Sequence, residues 1–169
     1  MSANPFGIDN TLIEAVLQGT TAGLSMAAIE PRAAGLSRMS ISPHEFNLLV
    51  GLVGERSGTL SMSFSRHGML HVASGMMGEP WKELDEVALD CVMEIANIVA
   101  GDVKSSLDAT AYAIHHISLP SMVFGGQYVY FSKGMHTCSI TFELPGMPMT
   151  MFADRLFHTT ISLLPASGL

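Results

Sequence analysis

The longest uninterrupted helical pattern runs from Asp85 to Leu107, DEVALDCVMEIANIVAGDVKSSL. Placed at about 100° per residue, Ala88, Cys91, Val92, Val99 and Val103 fall within about 80° of Ile95. That apolar stripe is wide enough to seal a helix onto a sheet. Asp90, Glu94, Asn97 and Gly101 recur at spacings of four, three and four on the opposite side, so each neighbours the next on the helix surface. Asp85 is the expected N-cap.

A second helical pattern covers Ile8 to about Ile29, with Asn4-Pro5-Phe6 as its start and Pro31 as its stop. Gly19 and Gly23 interrupt it at about 1 kcal/mol each against alanine, so packing is expected to hold it. A short helix is predicted over His67–Met77, closed by Gly78-Glu79-Pro80. Between these lie strand patterns: Phe46 to Glu55, then the strict alternation of Thr59 to Ser65, forming a hairpin with one wet face. Only one short strand is expected between Glu30 and Pro43. Later strands are predicted over Tyr112–Ser118, Ser121–Phe124, Tyr128–Ser132, His136–Leu144 and Met149–Ala153, with residues 163–169 fraying.

The order of these elements predicts an α+β fold, a mainly antiparallel sheet with two long helices on one face. A long helix opens each half, which suggests one domain of two degenerate halves, roughly 1–80 and 81–160.

Composition narrows the chemistry. At 169 residues the chain suits one domain, and 48% hydrophobic residues supply an ample core. Thirteen methionines are read mainly as adaptable core filling. A net charge of −7, with eight lysines and arginines that nowhere cluster, argues against nucleic acid. Two cysteines, Cys91 and Cys138, make no disulfide framework and fit a reducing compartment. No signal or membrane-spanning pattern is visible, so a soluble cytoplasmic protein is expected. His67 with His71, His115 with His116, and His136 with Cys138 are read as ordinary histidines and a thiol without a third metal ligand. Trp81 is read as an apolar lid over the start of the long helix.

Glu94 and Asn97 offer an anionic acceptor beside an amide that donates and accepts. Such a pair can orient a water and grip a cation, although on spacing alone residues of this kind are usually an ordinary solvated helix face. No glycine-rich phosphate loop with lysine and no G-x-S-x-G elbow occurs.

At these residues the chain resembles the CheC/CheX/FliY phosphatases. Their signature is Asp or Ser, three residues, Glu, two residues, Asn, twenty-two residues, Pro. Asp90, Glu94, Asn97 and Pro120 match it without a gap, and Met77-Gly78-Glu79, Ser57-Gly58-Thr59-Leu60, Gly101 and Leu119-Pro120 are also similar to the family. In the first helix Glu14 takes the place of Glu94 and Asn10 that of Asp90. Leu17 replaces the amide, however, and Ser40 stands where the proline would fall. One site rather than two makes the chain most similar to CheX, and implies a pseudo-duplicated CheC/CheX-like fold.

The resemblance implies hydrolysis of the aspartyl phosphate on a CheY-like response regulator, in chemotaxis or another two-component circuit. Asn97 would orient the attacking water and Glu94 would pair with the receiver lysine. Asp90 and Gly101 would touch the partner, although Gly101 is equally a candidate helix-packing contact. No cofactor of the chain's own is implied; Mg²⁺ would sit in the partner receiver domain. The resemblance also implies a homodimer, for which a free strand edge among residues 126–153 is a candidate. A non-catalytic module that binds receivers or the flagellar switch is the alternative.

Overall fold

Asp9 begins the first helix: its carboxylate accepts from the Thr11 N–H at 2.9 Å, and α1 runs Asn10–Ser25. The computed structural model describes residues 7–126, 128–130, 134–148, 150 and 152–166. The predicted start at Asn4-Pro5-Phe6 lies outside them. α2 spans Arg66–Met77, capped by Ser65 and ended by Gly78 at φ 73°, the left-handed conformation that favours glycine. α3 spans Glu86–Leu107 behind the expected cap, Asp85.

The strands are β1 Arg32–Ser37, β2 Ser40–Ser42, β3 Phe46–Gly54, β4 Gly58–Phe64, β5 Ile114–Ile117, β6 Ser121–Phe124, β7 Tyr128–Tyr130, β8 His136–Glu143 and β9 Leu156–Leu163. In the main sheet the order is β1-β8-β9-β4-β3-β5, and β6 also pairs with β3. Its pairings are antiparallel, so the predicted α+β class stands. β1 and β5, at the two ends of that path, each follow a long helix, and each pairs inward with a strand from the other half of the sequence. The halves therefore interlock as two helix–strand–hairpin units and share one core.

That core lies between the sheet and the helices. Val92, Ile95, Ala96, Val99 and Val103 of α3 and Leu12, Val16 and Leu24 of α1 are buried with Leu48, Leu60, Met62, Phe64, Ile140, Phe142, Phe157 and Ile161 of the strands. Phe157 stacks between Phe64 and Phe142, at centroid distances of 4.7 and 5.2 Å.

Three expectations fail here. Of the strand expected over Met149–Ala153, residues 149 and 151 lie outside the described residues and Thr150, Phe152 and Ala153 are not in a strand; residues 153–155 form a single 3₁₀ turn, and Leu156–Leu163 fills the sheet's centre. Thr159 breaks the apolar alternation of that segment, although it is fully buried with Phe157 and Ile161. Two strands, β1 and β2, form between Glu30 and Pro43 where only one was expected. The hairpin's second face is not wet at Ser63, because β2 lies across it: Ser42 Oγ is 3.4 Å from Ser63 Oγ and also bonds Asn47. Buried hydroxyls on this face pair with each other, as Ser139 and Thr160 do at 2.7 Å, which makes a polar layer affordable.

Candidate active site

The outward strip of α3 is oriented from the helix start. Asp85 accepts from the Ala88 N–H at 2.9 Å and from the Trp81 indole at 3.1 Å. The Ala88 N–H foremost, then the indole, holds the Asp85 carboxyl below its ordinary value. The Trp81 N–H donates to Ser74 Oγ at 2.8 Å, tying this start to α2. Trp81 packs on the core as the predicted lid. Cys91, expected within the apolar stripe, is only half-buried, its thiol 3.6 Å from Met77 Sδ.

A break in the edge of the sheet completes the site. β5 pairs Ile117 with Leu52, and β6 pairs Ser121 with Leu49. Three residues, Ser118 to Pro120, thus face only Val50 and Gly51, a one-residue bulge of the kind that re-aims side chains. Proline suits the bulge because it has no N–H to leave unpaired. The bulge carries Leu119 and Pro120 toward α3, where they line a groove of about 330 Å³ with Asp90, Met93, Glu94 and Asn97.

All four signature positions therefore meet in one groove, including Pro120, which is remote in sequence. Asp90 and Glu94 are exposed and Asn97 is half-buried. Among the described residues no hydrogen bond or ion pair engages their side chains, whereas the polar groups beneath the sheet are largely paired. Met93 and Ser118 belong to this region and were not singled out from sequence. Pro120 restricts its neighbour to extended backbone, but the bulge itself depends on β3 and is invisible locally.

Gly101 lies outside the groove, and a Cβ there would meet nothing within 4 Å. Helix packing therefore does not require it. Gly19 and Gly23 make the close contact between α1 and α3 instead.

On the matching strip of α1, Leu17 lines a shallow hollow with Gln18, Thr21 and Ala22, which Asn10 and Glu14 do not join. Leu17 packs partly against the core, and Ser40 opens β2 opposite Tyr130 rather than forming a lip.

The histidines are dispersed. His67 Nδ1 contacts Asp154 at 2.9 Å, and His71 Nε2 contacts the Pro145 carbonyl at 2.9 Å. His136 packs edge-on against Tyr112, and burial pushes the Cys138 thiol up to about 12. Among the described residues no three His, Cys, Asp or Glu side chains converge as a metal site. A larger hollow of about 600 Å³ lies between the end of α1, α2 and Pro145, but its ionisable lining is only His71 and Glu79. The chemistry favours the smaller groove.

A model of the chemotaxis phosphatase CheX family matches residues 46–143, a span that contains Asp90, Glu94, Asn97 and Pro120. The chain belongs to the CheX family. Along its length it is 27% identical to the CheY-P phosphatase CheX of Thermotoga maritima, over 157 residues covering 92% of this chain and 95% of that one. A putative chemotaxis protein from Desulfovibrio vulgaris Hildenborough shares its fold, with a TM-score of 0.74, 18% identity, and coverage of 90% of this chain and 96% of that one. So does CheX of Borrelia burgdorferi, solved as a CheX-CheY-BeF3-Mg complex, with a TM-score of 0.73, 22% identity, and coverage of 93% and 99%. Membership in this phosphatase family makes the chain an enzyme, and the groove is its candidate active site.

Proposed function

We propose that this CheX-family chain hydrolyses the aspartyl phosphate of a CheY-like response regulator, in chemotaxis or another two-component circuit. One observation carries the reading: Glu94 and Asn97 stand side by side without a hydrogen-bond or ion-pair partner among the described residues, in a groove bordered by the Leu119–Pro120 bulge. The groove is an open surface feature, suited to another protein's surface. The similarity to a CheY-P phosphatase points to the same substrate.

Phosphoryl transfer depends chiefly on positioning and charge stabilisation. In this reading the receiver supplies the acyl phosphate, a bound Mg²⁺ and a lysine. Asn97 enters the receiver's site, and its amide holds a water in line with phosphorus. Water adds to phosphorus as the bond to the aspartyl oxygen breaks, leaving free carboxylate and inorganic phosphate. A neutral amide orients the water without placing negative charge beside the phosphoryl oxygens. Glu94, one turn away, pairs its carboxylate with the receiver lysine. Asp90 contacts the receiver beyond it, and the open space over Gly101 admits partner backbone. The fold holds no helix, among the described residues, long and apolar enough to cross a membrane, and the reading places the protein in the cytoplasm with its partner.

The homodimer belongs to this proposal as well. β8 is enclosed between β1 and β9, so β6 is the better candidate edge, with Phe124 61% exposed. Sedimentation of the full chain tests it.

The activity is tested by mixing the protein with phosphorylated receivers and Mg²⁺ and following phosphate release. Acceleration is expected, and Asn97→Ala should reduce it on the order of 10²-fold or more, the usual cost of losing one positioned polar group. Binding without acceleration in the wild type would overturn the enzymatic reading in favour of a receiver-binding module.

A further inference from the structure

The bulge that closes the groove is held by one hydroxyl. Ser118 Oγ accepts from the Gly51 N–H at 2.8 Å and donates to the Leu119 carbonyl at 2.9 Å. The Ser118 N–H donates to the Gly51 carbonyl at 2.9 Å. A side chain thus replaces a backbone acceptor at the break in the ladder, and it fastens both sides of the bulge. Gly51 leaves the room: a Cβ there would lie 3.4 Å from Ser118 Oγ and 3.6 Å from Ser118 Cβ.

The segment fastened this way carries an unusual side chain. Leu119 is 83% exposed, more than the other large hydrophobic residues among the described ones, although it borders two carboxylates and an amide. Nothing in the protein's own packing requires an apolar side chain there. It stands beside Asn97, on the surface that the proposed activity presses against a partner.

We infer that Ser118 is a positioning residue for partner docking: its clasp on Gly51 holds Leu119 out as an apolar lip that packs on the phosphorylated receiver beside Asn97. The inference rests on the proposed receiver phosphatase activity and commits to the same occupant. Two observations favour that occupant. The lip is continuous with the groove holding Glu94 and Asn97, and Asp90 and Glu94 flank it with charge complementary to a cationic group on the receiver. In this arrangement Glu94 and Asn97 engage the reacting groups while Leu119 supplies desolvated contact area, so the lip governs affinity rather than the chemical step.

The experiment measures steady-state dephosphorylation of a phosphorylated receiver with Mg²⁺, and equilibrium binding to the same receiver activated with beryllium fluoride. Wild type, Ser118→Ala, Ser118→Thr, Leu119→Ala and the double variant Ser118→Ala/Leu119→Ala are compared, with circular dichroism as the control for folding. Leu119→Ala is expected to raise KM and Kd about tenfold, as loss of one well-buried leucine contact does, with kcat held within about twofold. Ser118→Ala should raise both several-fold, and Ser118→Thr, which keeps the hydroxyl, should restore them. In the Leu119→Ala background Ser118→Ala should add less than about twofold, because residues acting through one contact are not additive. A Ser118→Ala effect confined to kcat, equally large in the Leu119→Ala background, or absent would overturn the inference. A wild type that binds the activated receiver but does not accelerate hydrolysis would overturn the phosphatase reading, while Kd across the same variants still decides the lip. A wild type that neither binds nor accelerates would overturn both.

Discussion

Gly23 of α1 lies so close to Val99 of α3 that a Cβ at Gly23 would sit 2.3 Å from Val99 Cγ2. One helical turn earlier, a Cβ at Gly19 would lie 2.7 Å from Val103 Cγ2 and 3.1 Å from the Val99 carbonyl. The two glycines let the helix backbones approach, and Val99 lies two residues from Asn97 on the same helix. Gly23→Ala should gain about 1 kcal/mol of helix propensity. It should lose more than that through overpacking, which typically costs about 1–3 kcal/mol, against a β-branched neighbour with one preferred rotamer. The expected outcome is a lower melting temperature together with reduced phosphatase activity, because α3 must shift relative to Pro120. A raised melting temperature, the propensity gain left unopposed, would show that the helices can part without cost.

Gly101 should behave in the opposite way. With no atom near its missing Cβ, Gly101→Ala removes backbone entropy from the unfolded chain without a clash. Stability should rise by about 1 kcal/mol in chemical denaturation. If partner backbone passes over this position, KM should rise at the same time. A stabilised variant with unaltered KM would remove Gly101 from the partner surface.

The contrast between these glycines shows what can be read from a chain alone. Strong periodicity placed α2 and α3 within a residue or so, and put β3, β4, β6 and β8 close to their observed bounds. The strip Asp90–Glu94–Asn97 is a consequence of helical spacing, so its coherence was legible too. β9 was not legible: its polar residues answer a buried hydroxyl layer contributed by β2, β4 and β8. Nor could sequence show that Gly19 and Gly23 meet α3 while Gly101 meets nothing, since all three are simply glycines in helical patterns. The bulge at Ser118–Pro120 exists only opposite Val50 and Gly51. Local pattern says nothing of it.

His158 makes stability depend on pH. It is buried against the polar layer, its Nδ1 lacks a hydrogen-bond partner among the described residues, and the His44 ring lies 6.2 Å away. Burial, followed by the charge of His44, pushes its pKa down to about 4 from 6.5. Between those values the unfolded chain binds more protons than the folded one. The contribution is therefore fully present above pH 6.5 and is lost as pH falls toward 4, with a slope of at most about 1.4 kcal/mol per pH unit. The lowered carboxyls of Asp9 and Asp85 titrate below 3.8, outside this window. Urea unfolding across pH 4–7 should show the decline, and His158→Gln should make it shallower, leaving the part contributed by His136, which burial also pushes below 6.5. A parallel decline in the variant would assign the effect to other groups.

The division of labour proposed for Glu94 and Asn97 predicts that two nearly isosteric exchanges have different consequences. Asn97→Asp keeps the shape of the side chain but brings a negative charge to the phosphoryl oxygens, in a site that docking strips of bulk water and where charge interactions strengthen. Its kcat should fall at least as far as that of Asn97→Ala, even though a carboxylate can also accept a hydrogen bond from water. Glu94→Gln removes the charge while keeping the shape. If the carboxylate serves to pair with the receiver lysine, KM should rise and its salt dependence weaken, while kcat falls less than in either Asn97 variant. Steady-state rates at two ionic strengths separate these outcomes. Retention of wild-type kcat by Asn97→Asp would mean that a neutral amide is not what the reaction needs there, and the water-positioning role would have to be sought in another residue of the groove.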